Sequence, residues 1–302
     1  MVDRSAMANC EKNQADVIIE VKSGQAGFPH SLESIPQAPK SLFCSGRLPS
    51  RPRVALVGSR NTDEYGRRMA YELGAGLAAA KVCVVSGGAG GVDTAALEGC
   101  LLNDGIPIAV LGTGIDQVYP AANRELFNQI AARGALVSEH PCGTPGRPAN
   151  FANRNRIVSG LSDGVVVVRA AKKSGSLITA RQAIKQGRLL MAVPGQANDS
   201  LSYGVHNLIR SGAILVESTE DILKALSITD ARQQSLELPQ KPQDLQEDEQ
   251  LLFDQLQKGS SSIDTLSMQA GLSSATVAAV LLQMEMRGLV VQKPGMIYSL
   301  AG

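Results

Sequence analysis

The chain is poor in the residues that most often carry enzyme chemistry. It has three histidines, His30, His140 and His206, and they lie far apart. So few imidazoles, so widely spaced, give no reading of a metal site and none of a Ser-His-Asp or Cys-His arrangement. The five cysteines, Cys10, Cys44, Cys83, Cys100 and Cys142, are scattered without a C-x-x-C pair. An odd, unpatterned set is expected of reduced thiols in a cytoplasmic protein. The absence of G-x-x-x-x-G-K-[ST] argues against a P-loop nucleotidase, and "SGGAGG" (86–91) lacks the G-x-G-x-x-G register of a dinucleotide fingerprint. No apolar run reaches the length of a membrane span. The opening "MVDRSAMANCEKNQADV" has no apolar stretch of the kind a signal peptide needs. These absences lead to the expectation of a cytoplasmic protein with no membrane contact, no metal, no cofactor and no catalytic residue.

What the chain does have is charge that its total conceals. The 302 residues, 44% hydrophobic and 19% charged, carry a formal net charge of +1, ordinary for a soluble protein with one α/β core and a small second domain. From Gly143 to Leu190, however, the basic residues are Arg147, Arg154, Arg156, Arg169, Lys172, Lys173, Arg181, Lys185 and Arg188, against Asp163 alone. From Ser235 to Asp254 the balance reverses, with Lys241 alone against Glu237, Asp244, Glu247, Asp248, Glu249 and Asp254. A concentrated basic segment implies an anionic partner more than a whole-chain average does. Solvated helix faces would give the same count, so charge alone leaves both readings open.

The middle of the chain alternates strand and helix signals. Short Val/Ile/Leu runs at 53–57, 82–85, 106–112, 135–139, 164–168, 189–193 and 213–216 are separated by helical patterns at 65–80, 92–103, 124–133, 155–161, 176–186 and 205–210. Near-continuous apolar strands divided by helices predict a doubly wound, mostly parallel sheet covered on both faces. Such a sheet binds ligands at the carboxyl ends of its strands, where the turns "GSRN", "SGGAGG", "LGTG" and "VPGQ" should gather. Residues 228–247 are polar, contain two prolines and are expected to be a linker. Beyond them an amphipathic helix, two helices joined by a glycine turn with Ser273 or Ser274 as N-cap, and a hairpin turning at Pro294–Gly295 predict a winged helix over 248–302. Its Met284 or Met286 is a candidate contact for a protein partner.

Three stretches bear on binding. In "VGSRN" (57–61), Gly58 lets backbone approach a ligand, Ser59 lies at a helix-directed turn, and Arg60 is a bidentate donor for phosphate. In "FANRNR" (151–156), Phe151 can stack on a base, Arg154 and Arg156 can hold phosphates, and Asn153 and Asn155 can bond base edges. Interleaved aromatic and basic residues suit single-stranded nucleic acid. The bland alternative is a helix-start loop whose arginines satisfy carbonyls or acids inside the fold. In "KKSGSLITAR" (172–181), Lys173, Ser174, Gly175 and Ser176 offer charge and small donors at a helix start, or simply cap it. Gly87, Gly88, Gly91, Lys172, Thr179 and Arg181 are secondary candidates. A competing class is a nucleotide-binding or nucleotide-hydrolysing Rossmann-like protein of the phosphoribohydrolase type. Asp93, after "GGAGGV", is its one candidate carboxylate, and bracing the helix that begins there is the bland role.

"VALVGSR", "SGGAGGVDTAAL", "AVLGTGIDQVYPAANREL", "LVSEHPCGTPGRPANFANRNRIVSGLS", "KKSGSLITARQAIKQGR" and "AVPGQ…GVHNLIRSGA" together resemble the DNA-processing protein A (DprA/Smf) family. The ordered match runs from about Phe28 to about Leu226, and the C-terminal stretch is similar to the family's winged helix. The resemblance implies an extended Rossmann-like domain, at 28–227 here, that binds single-stranded DNA, dimerises and loads the RecA recombinase during natural transformation. Single-strand-binding protein is a further implied partner. It leaves 1–27 as an N-terminal segment open to disorder, too short for the helical domain many members carry there. Gly90 stands where the family often has Arg, and Leu97 where it often has His, so that loop is expected to contribute less to DNA. Arg169 stands where Glu is common and is expected to make the groove more basic.

Overall fold

The computed structural model describes residues 17–228, 245–257, 259–287, 289–293 and 296–300. They belong to two compact units that divide after Ala231.

In the first unit, short β-branched runs form β1 (Ile18–Lys22), β2 (Ser41–Gly46), β3 (Arg53–Val57), β4 (Cys83–Ser86), β5 (Pro107–Leu111), β6 (Ala135–Ser138), β7 (Gly164–Val167), β8 (Leu189–Ala192) and β9 (Ile214–Leu215). They build one nine-stranded sheet in the order β1-β2-β6-β5-β4-β3-β7-β8-β9. From β6 across to β9 every neighbour is parallel, while β2 joins β6, and β1 joins β2, antiparallel. Helices α1 (Glu64–Ala79), α2 (Val92–Leu102), α3 (Arg124–Arg133), α4 (Pro148–Gly160), α5 (Ser176–Lys185), α6 (Tyr203–Arg210) and α7 (Thr219–Ala225) connect them. The period of two along each strand sends alternate residues to opposite faces. Ala55, Val57, Val165 and Val167 pack with Ile157 and Val158 of α4 and Ala180 of α5. Val54, Leu56, Val166 and Val168 pack with Leu73 of α1, Ala96 of α2 and Ile222 of α7.

The expected mostly parallel sheet is present, with two differences. Residues 1–27 were expected to precede the domain, yet Ile18–Lys22 is an edge strand paired along its length with β2. "VIIEV" carried that signal, but its partner lies some twenty residues on, in a stretch without helical or strand periodicity. Residues 1–16 lie outside those described. Ile228, the first residue of the expected linker, packs against the core of the sheet's α1 side; residues 229–244 lie outside the description.

Order in the sheet fixes where a site can form. β3 pairs with β4 on one side and with β7 on the other. The chain builds outward from β3 through β6, then crosses by α4 to restart at β7. The crevice between the carboxyl ends of β3 and β7 is therefore the topological switch point, where open α/β sheets bind ligands.

The second unit contains α8 (Glu247–Leu256), β10 (Ser261–Ser262), α9 (Ile263–Ala270), α10 (Ser274–Met286), β11 (Val290–Lys293) and β12 (Ile297–Leu300), with the strands in the order β10-β12-β11. Gly271, at φ 67°, makes the turn between α9 and α10, a conformation glycine adopts without steric cost. Ser273, rather than Ser274, caps α10 by accepting from the Thr276 amide at 3.1 Å. Met284 is fully buried with Leu252, Phe253, Leu266 and Leu281, so it packs the core and is not available to a partner. The Met286 side chain and the Pro294–Gly295 turn lie outside the described residues.

Candidate nucleic-acid interface

"FANRNR" is helix, not loop. α4 begins at Pro148, and proline is well suited to a first helical turn because its missing N–H has no intrahelical partner there. The two asparagines, weak helix formers, conceal this in the sequence. Helical period then sorts the motif. Phe151, Arg154, Asn155 and Val158, at i, i+3, i+4 and i+7, border a cavity of about 440 Å³ at the switch point. Asn153 is exposed and does not border it.

Arg156 points elsewhere. Its Nη1 and Nη2 donate to Glu139 at 2.9 and 2.7 Å, its Nε to the Gln37 carbonyl at 2.8 Å, and its guanidinium is nearly buried. The expected phosphate contact is thus a brace between α4, the chain after β6 and the segment before β2. Arg154 borders the cavity but is 3% exposed, with Nη1 donating to the carbonyls of Gly87 and Val110. Burial pulls its pKa down to about 10, so it remains charged at neutral pH. It supplies charge beneath the cavity while its donors hold the ends of β4 and β5.

Arg169 corrects a further expectation. It is 2% exposed. Nε and Nη2 donate to Asp63 at 3.1 and 2.6 Å, Nη1 to Ser202 Oγ at 2.6 Å, and Nη2 also to Asp199. The guanidinium ties α1's N-cap to the segment before α6 and adds no free charge to the rim.

The other strand-end turns complete the cavity. Gly58, Ser59 and Arg60 border it after β3, Gly87 after β4, and Ser174, Gly175, Ser176 and Thr179 at the start of α5. Gly58 has a packing reason besides ligand approach: a Cβ there would lie 2.6 Å from Val92. Gly91, at φ 77°, lets α2 begin against the Ser59 and Arg60 carbonyls, which a Cβ would meet at 2.4 Å. Gly88 and Gly91 do not border the cavity. Ser174 and Ser176 share a hydrogen bond at 2.8 Å, and Ser174 Oγ accepts from the Ser176 amide at 3.4 Å. Asn155 Nδ2 reaches the Gly175 carbonyl at 3.5 Å. Arg60 is exposed, its guanidinium carbon 5.4 Å from the Phe151 ring centroid. Lys172, Lys173 and Arg181 are exposed but outside the cavity lining, and Lys172 lies over Tyr203 at 5.4 Å.

Asp93, the candidate of the enzyme reading, is a buried carboxylate at the start of α2 that borders the cavity. Its Oδ2 accepts from the Ala89 amide at 3.3 Å, and burial, opposed by Arg154, pushes its pKa up. It braces the glycine turn. Burial likewise pushes the thiols of Cys83 to about 11 and Cys100 to about 12, too high for a reactive thiolate. Among the described residues no cluster of three or more His, Cys, Asp or Glu could hold a metal ion, and no single helix is long and apolar enough to cross a membrane. Sequence reasoning missed Asn61 and Ile178, which border the cavity, and Tyr119, whose ring centroid is 5.0 Å from that of Phe151.

A Rossmann-like sheet with a cationic, aromatic-edged cavity at its switch point, followed by a winged helix, defines the class of protein. The profile of the DNA recombination-mediator protein A family matches residues 20–227, and that of the DprA winged helix domain matches 237–296. The chain belongs to the DNA recombination-mediator protein A family. Protein Smf of Escherichia coli K12 is 38% identical over 280 residues, covering 89% of this chain and 74% of that protein. DNA processing protein DprA of Streptococcus pneumoniae is 43% identical over 198 residues, covering 65% and 70%. The X-ray structure of DNA processing protein A from Streptococcus pneumoniae aligns with a TM-score of 0.67 at 39% identity, covering 70% of this chain and 75% of that one. DNA processing protein A from Helicobacter pylori, solved for its single-stranded DNA binding mode, aligns with a TM-score of 0.63 at 28% identity, covering 72% and 98%.

Proposed function

We propose that the protein binds single-stranded DNA at the switch-point cavity, without catalysis, and as a homodimer loads the RecA recombinase onto incoming strands in natural transformation. The observation that carries the DNA reading is the helical face of α4. It brings Phe151, Arg154 and Asn155 to the same cavity as Arg60 and the Ser174–Ser176 turn. Backbone phosphates would meet Arg60, the serine turn and Lys173, while amides at the strand ends complete the anion site. Bases would stack on the aromatic edge with little sequence preference. The Helicobacter pylori relative, described by its single-stranded DNA binding mode, supports the same reading. Homodimer formation is supported by the open edge at β9, where Ile214 and Leu215 are exposed; an unpaired apolar edge favours association, and two grooves on one strand gain avidity. Loading of RecA, with single-strand-binding protein as the obstacle displaced, rests on family membership.

Titration of labelled single- and double-stranded oligonucleotides at two salt concentrations tests the binding. Tighter single-strand binding that weakens with salt is expected, and equal or absent binding would reject the reading. The loader role predicts faster RecA filament growth on strands coated with single-strand-binding protein. Nucleoside monophosphates should release no base; release would favour the hydrolase class and Asp93.

A further inference from the structure

Beside the main cavity lies a second, of about 140 Å³, bordered by Arg60, Gly90, Tyr119, Pro120, Phe151 and Arg154 among others. Arg60, Phe151 and Arg154 border both cavities. The Arg60–Phe151 pair, 5.4 Å from guanidinium carbon to ring centroid, is therefore a partition between them. The two sides differ in chemistry. The main side has the serine turn and the turn after β3 at Gly58 and Ser59, while Gly87 and Ala89 after β4 border both. The smaller side has Tyr119 and Pro120, which do not border the main cavity.

Tyr119 is 52% exposed, and its ring is tilted by 36° to Phe151. The loop that carries it is tied down on both sides. Thr113 Oγ1 donates to the Gln117 carbonyl at 2.7 Å, and Asn123 Nδ2 donates to the Gly88 carbonyl at 3.0 Å and to Thr94 Oγ1 at 2.9 Å. A half-exposed aromatic ring held on a fixed loop loses little side-chain freedom when a ligand packs on it. Gly90 borders the same cavity and leaves open space: a Cβ there would meet nothing nearer than the Arg60 carbonyl at 3.8 Å, and its backbone is not left-handed. Neither packing nor backbone conformation requires glycine at that position.

We propose that this slot receives one unpaired nucleobase, its face on Tyr119 and its edge over Gly90, while a phosphate of the same strand occupies the serine side of the Arg60–Phe151 partition. The proposal rests on the strand-binding reading above and adds where a base goes. The ring faces of Tyr119 and Pro120 offer a phosphate no charge, whereas every base has a π-face that stacks on such walls. Arg60, seated on Phe151, adds a cation at the border of the slot. Tyr119 thereby becomes a positioning contact for bases as a class, not a reader of sequence.

The test uses the full-length chain and two labelled strands of equal length, a thymidine homopolymer and an abasic backbone, at one salt concentration. Wild type is expected to bind the thymidine strand at least about fivefold more tightly, the lower end of one base–aromatic stack. Tyr119→Ala should lose about fivefold or more on the thymidine strand and nothing on the abasic strand. Gly90→Leu, which adds a side chain at the slot's border, should show the same pattern. Either variant binding thymidine like wild type, or weakening both strands alike, overturns the slot. Wild type binding the two strands equally also overturns it and leaves strand binding standing. Wild type binding neither strand rejects the strand-binding reading and the slot together.

Discussion

Arg156, in α4, and Lys173, in the turn before α5, belong to the same basic stretch, yet the fold uses their charges in opposite ways. Arg156 is nearly buried and paired with Glu139, whereas Lys173 is exposed. The contrast extends across both regions. Of the nine basic residues between 143 and 190, Arg154, Arg156 and Arg169 are buried, and Arg188 donates to the Ser31 and Gly160 carbonyls. Arg147, Lys172, Lys173, Arg181 and Lys185 remain exposed. A buried cation bonded to carbonyls or carboxylates has few counterions to release. An exposed one does, and that release supplies most non-specific nucleic-acid affinity. The arginines of α4 and Arg169, just after β7, therefore shape the crevice, and the lysines and Arg60 are its free charge.

The sharpest way to break this distinction is Arg169→Ala. It leaves Asp63 and Asp199 without their cation; removing one member of a buried pair costs about 3–5 kcal/mol. Asp63 is partly exposed, so the lower end, about 3 kcal/mol, is expected in urea unfolding. A variant as stable as wild type but weaker for DNA would place Arg169 among the free charges. Acid should attack the same network. The Leu201 amide, against partial burial and with help from Arg169, holds the Asp199 carboxyl below its usual value. Burial raises Asp63, but the Gly66 amide and Arg169 outweigh it and leave that carboxyl lowered too. Their contribution is present above the unfolded aspartate value of about 4 and is lost as pH falls through the folded ones. Asp199→Asn should flatten stability against pH below about 4; an unchanged curve would remove the network from acid unfolding.

Arg156→Ala is next. Its partner Glu139 keeps some exposure, so the expected loss is about 2 kcal/mol, below the fully buried range, with no change in the salt slope of binding by the folded protein. A flattened slope would return Arg156 to the DNA. Replacing Lys172 and Lys173 with Ala should do the reverse. Stability should move by less than about 0.5 kcal/mol, and the logarithmic salt slope should fall by about 0.7 for each lysine that meets a phosphate. An unchanged slope would mean the exposed lysines lie off the strand's path.

Much of this architecture was legible because β3 to β9 are Val/Ile/Leu runs, each ended by a turn, and because helices between them show their period. What was not legible depends on contacts distant in sequence. "FANRNR" has the composition of a loop, and only its place in a helix sends Arg154 and Arg156 to different faces. Arg156 meets Gln37 and Arg169 meets Asp63, each more than a hundred residues away. Pro148 was the local signal for where α4 starts. Tyr119 is a single aromatic in a polar loop, and Phe151, which gives it meaning, lies 32 residues later.

The smallest expected effect separates the sheet domain from the winged helix. A chain ending at Ala231, the boundary of the first unit, keeps Ile228 in its core and should retain single-strand affinity to within about threefold, or ~0.6 kcal/mol. Helix-turn-helix form argues the other way, since the second helix of such a motif commonly enters the major groove. The charges oppose it. From Asp248 to Gly302 the sequence has Lys258, Arg287 and Lys293 against Asp248, Glu249, Asp254, Asp264 and Glu285, a net of −2. Arg287, the basic residue at the end of α10, donates to both oxygens of the buried Glu249 at 2.9 Å. Early in α10, Ser273 and Thr276 bond each other at 2.8 Å. Such a surface offers little counterion release. It does expose Met268, at 85%, together with Leu282 and Met296, and apolar exposure of that kind suits contact with protein more than with phosphate. Comparing dissociation constants and oligomeric mass for the two chains decides the matter. A loss of tenfold or more, about 1.4 kcal/mol, from a shortened chain that stays dimeric would put strand contacts in the winged helix and erase the contrast between the two units.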